Sequence, residues 1–328
     1  MFDGANILIT GGTGSFGKCF VKYVLENFNP KRVVILSRDE FKQYQMEGEF
    51  GHDKRLRFFL GDVRDKDRLY RAFYGIDYVI HAAALKQVPA GEYNPFETIK
   101  TNILGAQNVI EACIDNGVKR VIALSTDKAA NPLNLYGATK LCSDKLFVAG
   151  NSYAGGRVTR FAVVRYGNVL GSRGSVLPLF LKQKEDGVIT ITHRDMTRFW
   201  ITLPQAVELV NKAFKLMTGG EIFVPKIPSM RMGDFARAIA PEAEIKEIGI
   251  RPGEKMHEVM IPEDDARHTR EYDDHYRIIP EFLNWQAPKD FGNGGKKLPE
   301  GFSYRSDNNT WWLTKEELVK MVEGVMGE

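Results

Sequence analysis

The tightest constraint on this chain is a glycine-rich turn set between an apolar run and a helical pattern. Asn6-Ile-Leu-Ile9 leads into Thr10-Gly-Gly-Thr-Gly-Ser-Phe-Gly17, and residues 18–27 then carry apolar side chains at helical spacing. Such a turn lets backbone amides at a helix N-terminus approach an anion. Further strand-like runs lie at 33–37, 56–60, 78–83, 121–125 and 161–166, most of them separated by helix-like stretches, including 95–116 and 136–149. The alternation predicts βαβ units and a parallel sheet covered by helices on both faces.

That pattern is a Rossmann-type, doubly wound α/β fold. It weakens after about residue 170, where Pro and Gly become frequent, and returns only in the helix-like stretch 204–216. The expected division is a dinucleotide-binding domain over 1–170, to which 200–222 return, and a smaller interleaved C-terminal domain over 171–199 and 223–328 that holds the substrate. Residues 262–300, rich in charge, Pro and Gly, read as an irregular surface excursion.

With 328 residues the chain can bury about two domains' worth of core. Its 45 basic and 42 acidic residues give a net charge of +3, too balanced to point to nucleic acid or an anionic membrane. Cys19, Cys113 and Cys142 lack metal-ligand spacing, so no metal site is expected and all three read as reduced thiols packed in helices. No cleavable leader and no apolar stretch of ~20 residues is visible, which makes the expected location cytoplasmic.

Gly12, Gly14 and Gly17 fit G-x-G-x-x-G, while Gly11, Gly14 and Gly17 fit a wider G-x-x-G-x-x-G spacing. Residues 12–18 also match the start of a nucleotide-triphosphatase loop, but position 19 is Cys where a magnesium-binding hydroxyl is needed. The turn is therefore assigned to a dinucleotide, with Gly11, Thr13, Gly14, Ser15, Phe16 and Gly17 as its contacts. About twenty residues on, a carboxylate would select NAD by binding the ribose 2′-hydroxyl. Here Ser37 and Arg38 close the second strand and Lys42 follows, a set suited to the 2′-phosphate of NADP. Asp39 keeps NAD open if the strand ends one residue later. Asp62 and Val63 follow the third strand, where a carboxylate could accept from the adenine amine. Ala82 and Ala83 are small enough to let the chain pass close to the cofactor, and His81 reads as structural.

The densest chemistry lies in Ser125-Thr-Asp-Lys-Ala-Ala-Asn-Pro-Leu-Asn-Leu-Tyr136-Gly-Ala-Thr-Lys140. Tyr136 and Lys140 share a helix face, so the ammonium can support a phenolate base. Thr126, Asp127 and Lys128 follow the apolar run 121–124, at the carboxyl edge of the predicted sheet.

With these pieces the chain resembles the extended short-chain dehydrogenase/reductases over nearly its whole length. The likeness rests on the glycine turn, Asp62, Tyr136 with Lys140, and Asn168. Within that family it is most similar to the soluble, configuration-inverting 4,6-dehydratase branch that acts on UDP-N-acetylglucosamine. That finer match is carried by 10–19, 37–40, 81–86, 125–140, Arg165-Tyr-Gly-Asn-Val-Leu-Gly-Ser-Arg-Gly-Ser175, 196–200 and Arg251-Pro-Gly-Glu-Lys-Met-His-Glu258. Lys128 stands where dTDP-glucose dehydratases have Glu, and Tyr136 where membrane-bound retaining relatives have Met.

The resemblance implies that Tyr136, helped by Lys140 and Thr126, serves oxidation at sugar C4. Lys128 then takes the C5 proton and Asp127 protonates the leaving C6 oxygen. Lys128 would have to be neutral at that moment, which burial favours; alternatively it forms an ion pair with Asp127 that orders the loop. Val169 would touch the cofactor. Lys86, Asn168, Arg173, Ser175, Val176, Leu177, Arg251, Glu254, Asn308 and Asn309 would contact the nucleotide sugar. Asn102 would order the site, and Arg198, Phe199 and Trp200 read equally as packing or ligand contact. A homo-oligomer such as a hexamer, without nucleic acid or membrane, is the implied state. An epimerase of the same nucleotide sugar and a non-enzymatic NADP-binding regulator are the alternatives; such regulators tend to lose the Tyr or the Lys, and both are present.

Overall fold

The structure is a computed structural model that describes residues 1–281 and 294–326. Six parallel strands come from its first half: β1 (Asn6–Thr10), β2 (Arg32–Ser37), β3 (Leu56–Leu60), β4 (Tyr78–His81), β5 (Arg120–Thr126) and β6 (Arg160–Tyr166). They lie side by side in the order β3-β2-β1-β4-β5-β6. The reversal falls at β1, whose neighbours β2 and β4 leave a crevice above its carboxyl end, the usual ligand position in such sheets. The central strands are almost entirely buried, which explains their continuous Val, Ile and Leu runs.

The sheet does not end at β6. Ile222–Pro225 pairs parallel to it, and His275–Ile278, Thr269–Glu271 and Lys296–Lys297 continue antiparallel, giving ten strands among the described residues. The reading of 262–300 as an irregular excursion is thus corrected for its described part; residues 282–293 lie outside the described residues. These strands are two to four residues long and charged on their exposed side, as sheet edges commonly are.

Two apolar clusters organise the interior. The larger packs helices such as Ser15–Asn27 and Leu203–Leu216 on the sheet. The smaller joins Leu177, Phe180, Trp200 and Phe235, with Trp200 and Phe235 stacked at 4.4 Å. Cys113 lies in the larger cluster, whereas Cys142 is exposed, contrary to the expectation that all three cysteines pack inside helices. No helix among the described residues is long and apolar enough to cross a membrane.

The stretch expected as one helix over 95–116 is three segments. Pro95–Ile99 and Gly105–Asp115 are α-helical, and Lys100–Leu104 between them is a π turn. The widened turn carries Asn102, whose side chain accepts from the Leu85 amide and donates to the Leu85 carbonyl and to Thr139 Oγ1. Such single π turns commonly re-aim a side chain at a functional site.

Between β5 and the helix Leu135–Tyr153 a short 3-10 turn, Asp127–Ala129, tucks Asp127 inward. Gly137 makes this possible, since a Cβ there would stand 2.2 Å from the Lys128 carbonyl oxygen. The substitution Gly137→Ala should therefore destabilise the fold by ~1–3 kcal/mol and lower the calorimetric unfolding midpoint by several degrees. An unchanged midpoint contradicts this packing.

Candidate functional site

A cleft of about 1310 Å³ runs over the carboxyl ends of the parallel strands, from the glycine turn to the start of the helix Leu135–Tyr153. At one end it is lined by Gly11, Thr13, Gly14, Ser15, Phe16, Gly17, Ser37, Arg38, Asp39, Lys42, Asp62, Val63, Ala82 and Ala83. At the other lie Thr126, Lys128, Tyr136, Lys140, Lys86, Asn168, Val169, Arg173 and Ser175.

The glycine turn fits the diphosphate of a dinucleotide. The helix Ser15–Asn27 starts at Gly14 without a side-chain cap and without an acidic residue in its first turn, so its positive end is left for an anion. Gly17 brings this helix against the strand end, since a Cβ there would stand 2.2 Å from the Gly12 carbonyl oxygen. At the end of β2, Asp39 caps the next helix: its carboxylate accepts from the Lys42 amide at 3.0 Å and pairs with Lys42 Nζ at 2.7 Å. Arg38 keeps half of its side chain exposed and sits 3.6 Å from Asp62. Asp62 also accepts from the Arg64 side chain and amide, so its oxygens are already engaged. His81 is fully buried and bonded to Thr10 Oγ1 at 2.9 Å, and burial pushes it down to about 3, leaving a neutral ring.

At the other end, Asn134 caps the helix Leu135–Tyr153 by accepting from the Gly137 amide, and Tyr136 and Lys140 follow one turn apart. Burial pushes the Tyr136 phenol up to about 12, with the Lys128 charge opposing. Burial also lowers Lys140, against the pull of Asp144. Asp144 is held from behind by Ser125 Oγ at 2.7 Å and by Arg165, which bonds the Met260 carbonyl with its other nitrogen. Thr126 Oγ1 donates to Asp127 Oδ1 at 2.9 Å.

Lys128 forms the ion pair with Asp127 that was one of its two expected states. Its ammonium lies 3.0 Å from Asp127 Oδ1 and 3.3 Å from Glu258 Oε1. Burial works against its charge, but the two carboxylates win and hold it above the usual lysine range. This environment favours the ammonium. Asp127, wholly buried, is shifted upward by burial, with Lys128 pulling down and Glu258 adding to the rise. Arg198 Nε lies 3.6 Å from Glu258 Oε1. Arg198, which read equally as packing or ligand contact, faces this carboxylate, while Phe199 and Trp200 are buried in the two clusters. Glu258 was not foreseen as a site residue; the available signal was a carboxylate directly before the apolar run Val259-Met-Ile261.

The 171–175 loop crosses the cleft. Lys86 Nζ donates to the Arg173 carbonyl, and the Arg173 amide donates to Ser15 Oγ, both at 3.2 Å. Asn168 Oδ1 and Ser175 Oγ are buried without a hydrogen-bond partner among the described residues, which leaves both for a ligand. Other expected contacts lie outside the cleft lining. Leu177 is buried in the smaller cluster, with Val176 packed against it. Arg251 and Glu254 form a local turn through the Arg251 amide and Glu254 Oε2. Asn308 bonds Ser303 and Arg305, and Asn309 bonds Ile227, Ser229 and Trp311.

Comparison with known proteins agrees with this arrangement. A family model described as polysaccharide biosynthesis protein matches residues 7–280. A Campylobacter jejuni protein named UDP-N-acetylglucosamine 4,6-dehydratase (inverting) is 55% identical over the full length of both chains. A Rickettsia conorii protein named UDP-glucose 4-epimerase is 41% identical, with 98% of this chain and 96% of that one covered. The X-ray structure of Pen from Bacillus thuringiensis superimposes with a TM-score of 0.91 at 39% identity, covering 99% of each chain. The chain therefore belongs to the polysaccharide biosynthesis protein family, on the fold of the short-chain dehydrogenase/reductases.

Proposed function

We propose that the protein is an NADP-dependent 4,6-dehydratase that converts UDP-N-acetylglucosamine, with inversion at C5, into a UDP-2-acetamido-2,6-dideoxy-4-hexulose. The observation that carries this reading is the Asp127–Lys128 pair, 3.0 Å apart, in which Lys128 lines the same end of the cleft as Tyr136 and Lys140 and Asp127 lies buried beside it. Relatives that only oxidise and reduce need the Tyr and Lys; removing water also needs an acid and a base side by side. The 55% identity to a protein named for this reaction supports the same assignment.

When bound, the nicotinamide supplies the hydride exchange that makes C4 a ketone during elimination and reduces C6 afterwards. Tyr136 takes the proton of the C4 hydroxyl, with the Lys140 charge favouring its phenolate. For elimination a proton first moves from Lys128 Nζ to Asp127 Oδ1 along their 3.0 Å contact. The neutral Lys128 then takes the C5 proton, and the Asp127 carboxyl gives its proton to the C6 oxygen, which leaves as water. A C5–H and a C6–O bond break, a C5–C6 double bond forms, and the pair returns to ammonium and carboxylate. Return of a proton to the opposite face of C5 gives the inverted product.

The preference for NADP is supported by Ser37 and the half-exposed Arg38, with Asp39 already used as a helix cap. Asn168 and Ser175, with their unpartnered oxygens, are the favoured contacts of the sugar and its phosphates, and Lys86 and Arg173 bound the same end. The reading extends to a homo-oligomer, a hexamer by family resemblance, for which the exposed Tyr93 and Phe96 offer an apolar surface. It extends also to a cytoplasmic early step in pseudaminic acid and glycan biosynthesis. A C4 or C5 epimerase is the second reading, favoured by the 41% identity to a named epimerase.

Incubation with UDP-N-acetylglucosamine in deuterated water, followed by mass spectrometry and proton NMR, separates the two. Loss of one water with deuterium at C5 is expected; an unchanged sugar composition with altered stereochemistry identifies the epimerase. For the cofactor, Arg38→Ala should weaken NADP binding by about tenfold or more and leave NAD binding nearly unchanged, as read by calorimetric titration. Equal losses for both cofactors contradict the 2′-phosphate role.

A further inference from the structure

Three remote segments meet around Lys128. Asp127 and Lys128 come from the turn after β5, Arg198 from the strand Thr197–Ile201, and Glu258 from the residue before the strand Val259–Ile261. Glu258 and Arg198 have side chains only 3% and 8% exposed. One oxygen of each carboxylate, Asp127 Oδ2 and Glu258 Oε2, is buried without a hydrogen-bond partner among the described residues. Buried carboxylate oxygens left open in this way carry a desolvation cost that no hydrogen bond within the fold offsets.

The main chain at Glu258 is held without help from its carboxylate. Its amide donates to Ser306 Oγ at 2.9 Å, and its carbonyl accepts from the Ser306 amide at 2.9 Å. Ser306 Oγ is in turn bonded to Thr197 Oγ1 at 2.6 Å. The carboxylate is thus delivered to Lys128 on a fixed backbone. Two cations and two anions make the group neutral overall, and moving a proton from Lys128 to Asp127 leaves that balance unchanged.

We propose that Glu258, balanced by Arg198, is a positioning residue that sets how tightly the Lys128–Asp127 pair holds its transferable proton. Its Oε1 lies 3.3 Å from the ammonium, and Glu258 is not part of the cleft lining. Its negative charge raises the proton affinity of both members of the pair, stabilising the ammonium of Lys128 and disfavouring a carboxylate on Asp127. Arg198 acts in the opposite sense on Lys128. The other charged or titratable groups facing the cluster are Lys255, Lys86 and Tyr136. The role in proton transfer rests on the dehydratase reading above, whereas the charge balance itself does not.

The test has two arms. In the cofactor-free protein, the carboxyl carbon resonance of Asp127 is followed by NMR against pH in wild type and in Glu258→Gln. Loss of the negative charge should move its midpoint down by about one pH unit or more; an unmoved or raised midpoint overturns the inference. In the loaded enzyme, both limbs of the pH–rate profile for water loss should move to lower pH in Glu258→Gln, while NADP affinity stays within about twofold. A profile that merely shrinks in height marks a structural role and also overturns it. Arg198→Gln should move the Asp127 midpoint and both limbs the other way, and decides the matter alone if Glu258→Gln does not fold. Wild-type protein that releases no water from UDP-N-acetylglucosamine, with the Asp127 midpoint still displaced in Glu258→Gln, rejects the dehydratase reading and leaves the charge balance standing.

Discussion

The contact on which the rest of the site depends is the ammonium of Lys128 held between Asp127 and Glu258. Each buried charge loses hydration worth several kcal/mol, and each close contact returns roughly 4 kcal/mol at the effective dielectric of a partly solvated protein. Neither term dominates for a single pair. The group persists as ions because four charges of alternating sign share the loss, with Arg198 3.6 Å from Glu258 and Lys128 3.3 Å from the same oxygen. The long second half of the chain is needed to complete it: the turn after β5 supplies the lysine, but its second carboxylate is 130 residues away in sequence.

The two ends of the cleft follow different electrostatic rules. At the glycine turn the site is an open helix end with no acidic residue beside it, suited to a group that arrives with its own negative charge. At the Lys128 end the four charges of Lys128, Asp127, Glu258 and Arg198 are matched among themselves. Arg173 ties the two ends together. Its amide reaches the first helix through Ser15 and its carbonyl reaches Lys86, so the 171–175 loop is anchored on the glycine-turn helix as well as at Lys86.

Features set by local spacing could be read from the sequence. The glycine turn, the strand ends and the Tyr136–Lys140 pair each depend on residues within one turn of one another, and the parallel sheet followed from buried runs between helical stretches. What escaped was set by distance or by the edges. Glu258 meets Lys128 only through the tertiary fold, and no spacing links them. The strands at 269–271 and 275–278 are three and four residues long and mix charged residues with apolar ones, so they lack the apolar signature of the central strands. The π turn at Lys100–Leu104 sits inside an unbroken helical pattern, and the bonds its Asn102 makes to Leu85 are a tertiary contact that no local spacing reveals. Arg251 and Asn308 lie outside the cleft lining, in local turns made by the Arg251 amide and by Asn308 Oδ1.

In the proposed reaction Lys128 and Asp127 remove water while Tyr136 and Lys140 serve the redox chemistry. The most direct measurement is a single turnover of Lys128→Ala, loaded with NADP and mixed with UDP-N-acetylglucosamine, following near-ultraviolet absorbance and sugar mass together. The account predicts that reduced nicotinamide accumulates while water loss falls by about 10²- to 10⁴-fold, since oxidation at C4 no longer has an elimination to follow it. Water released at the wild-type rate, or a variant that binds NADP yet never reduces it, would contradict this division of tasks.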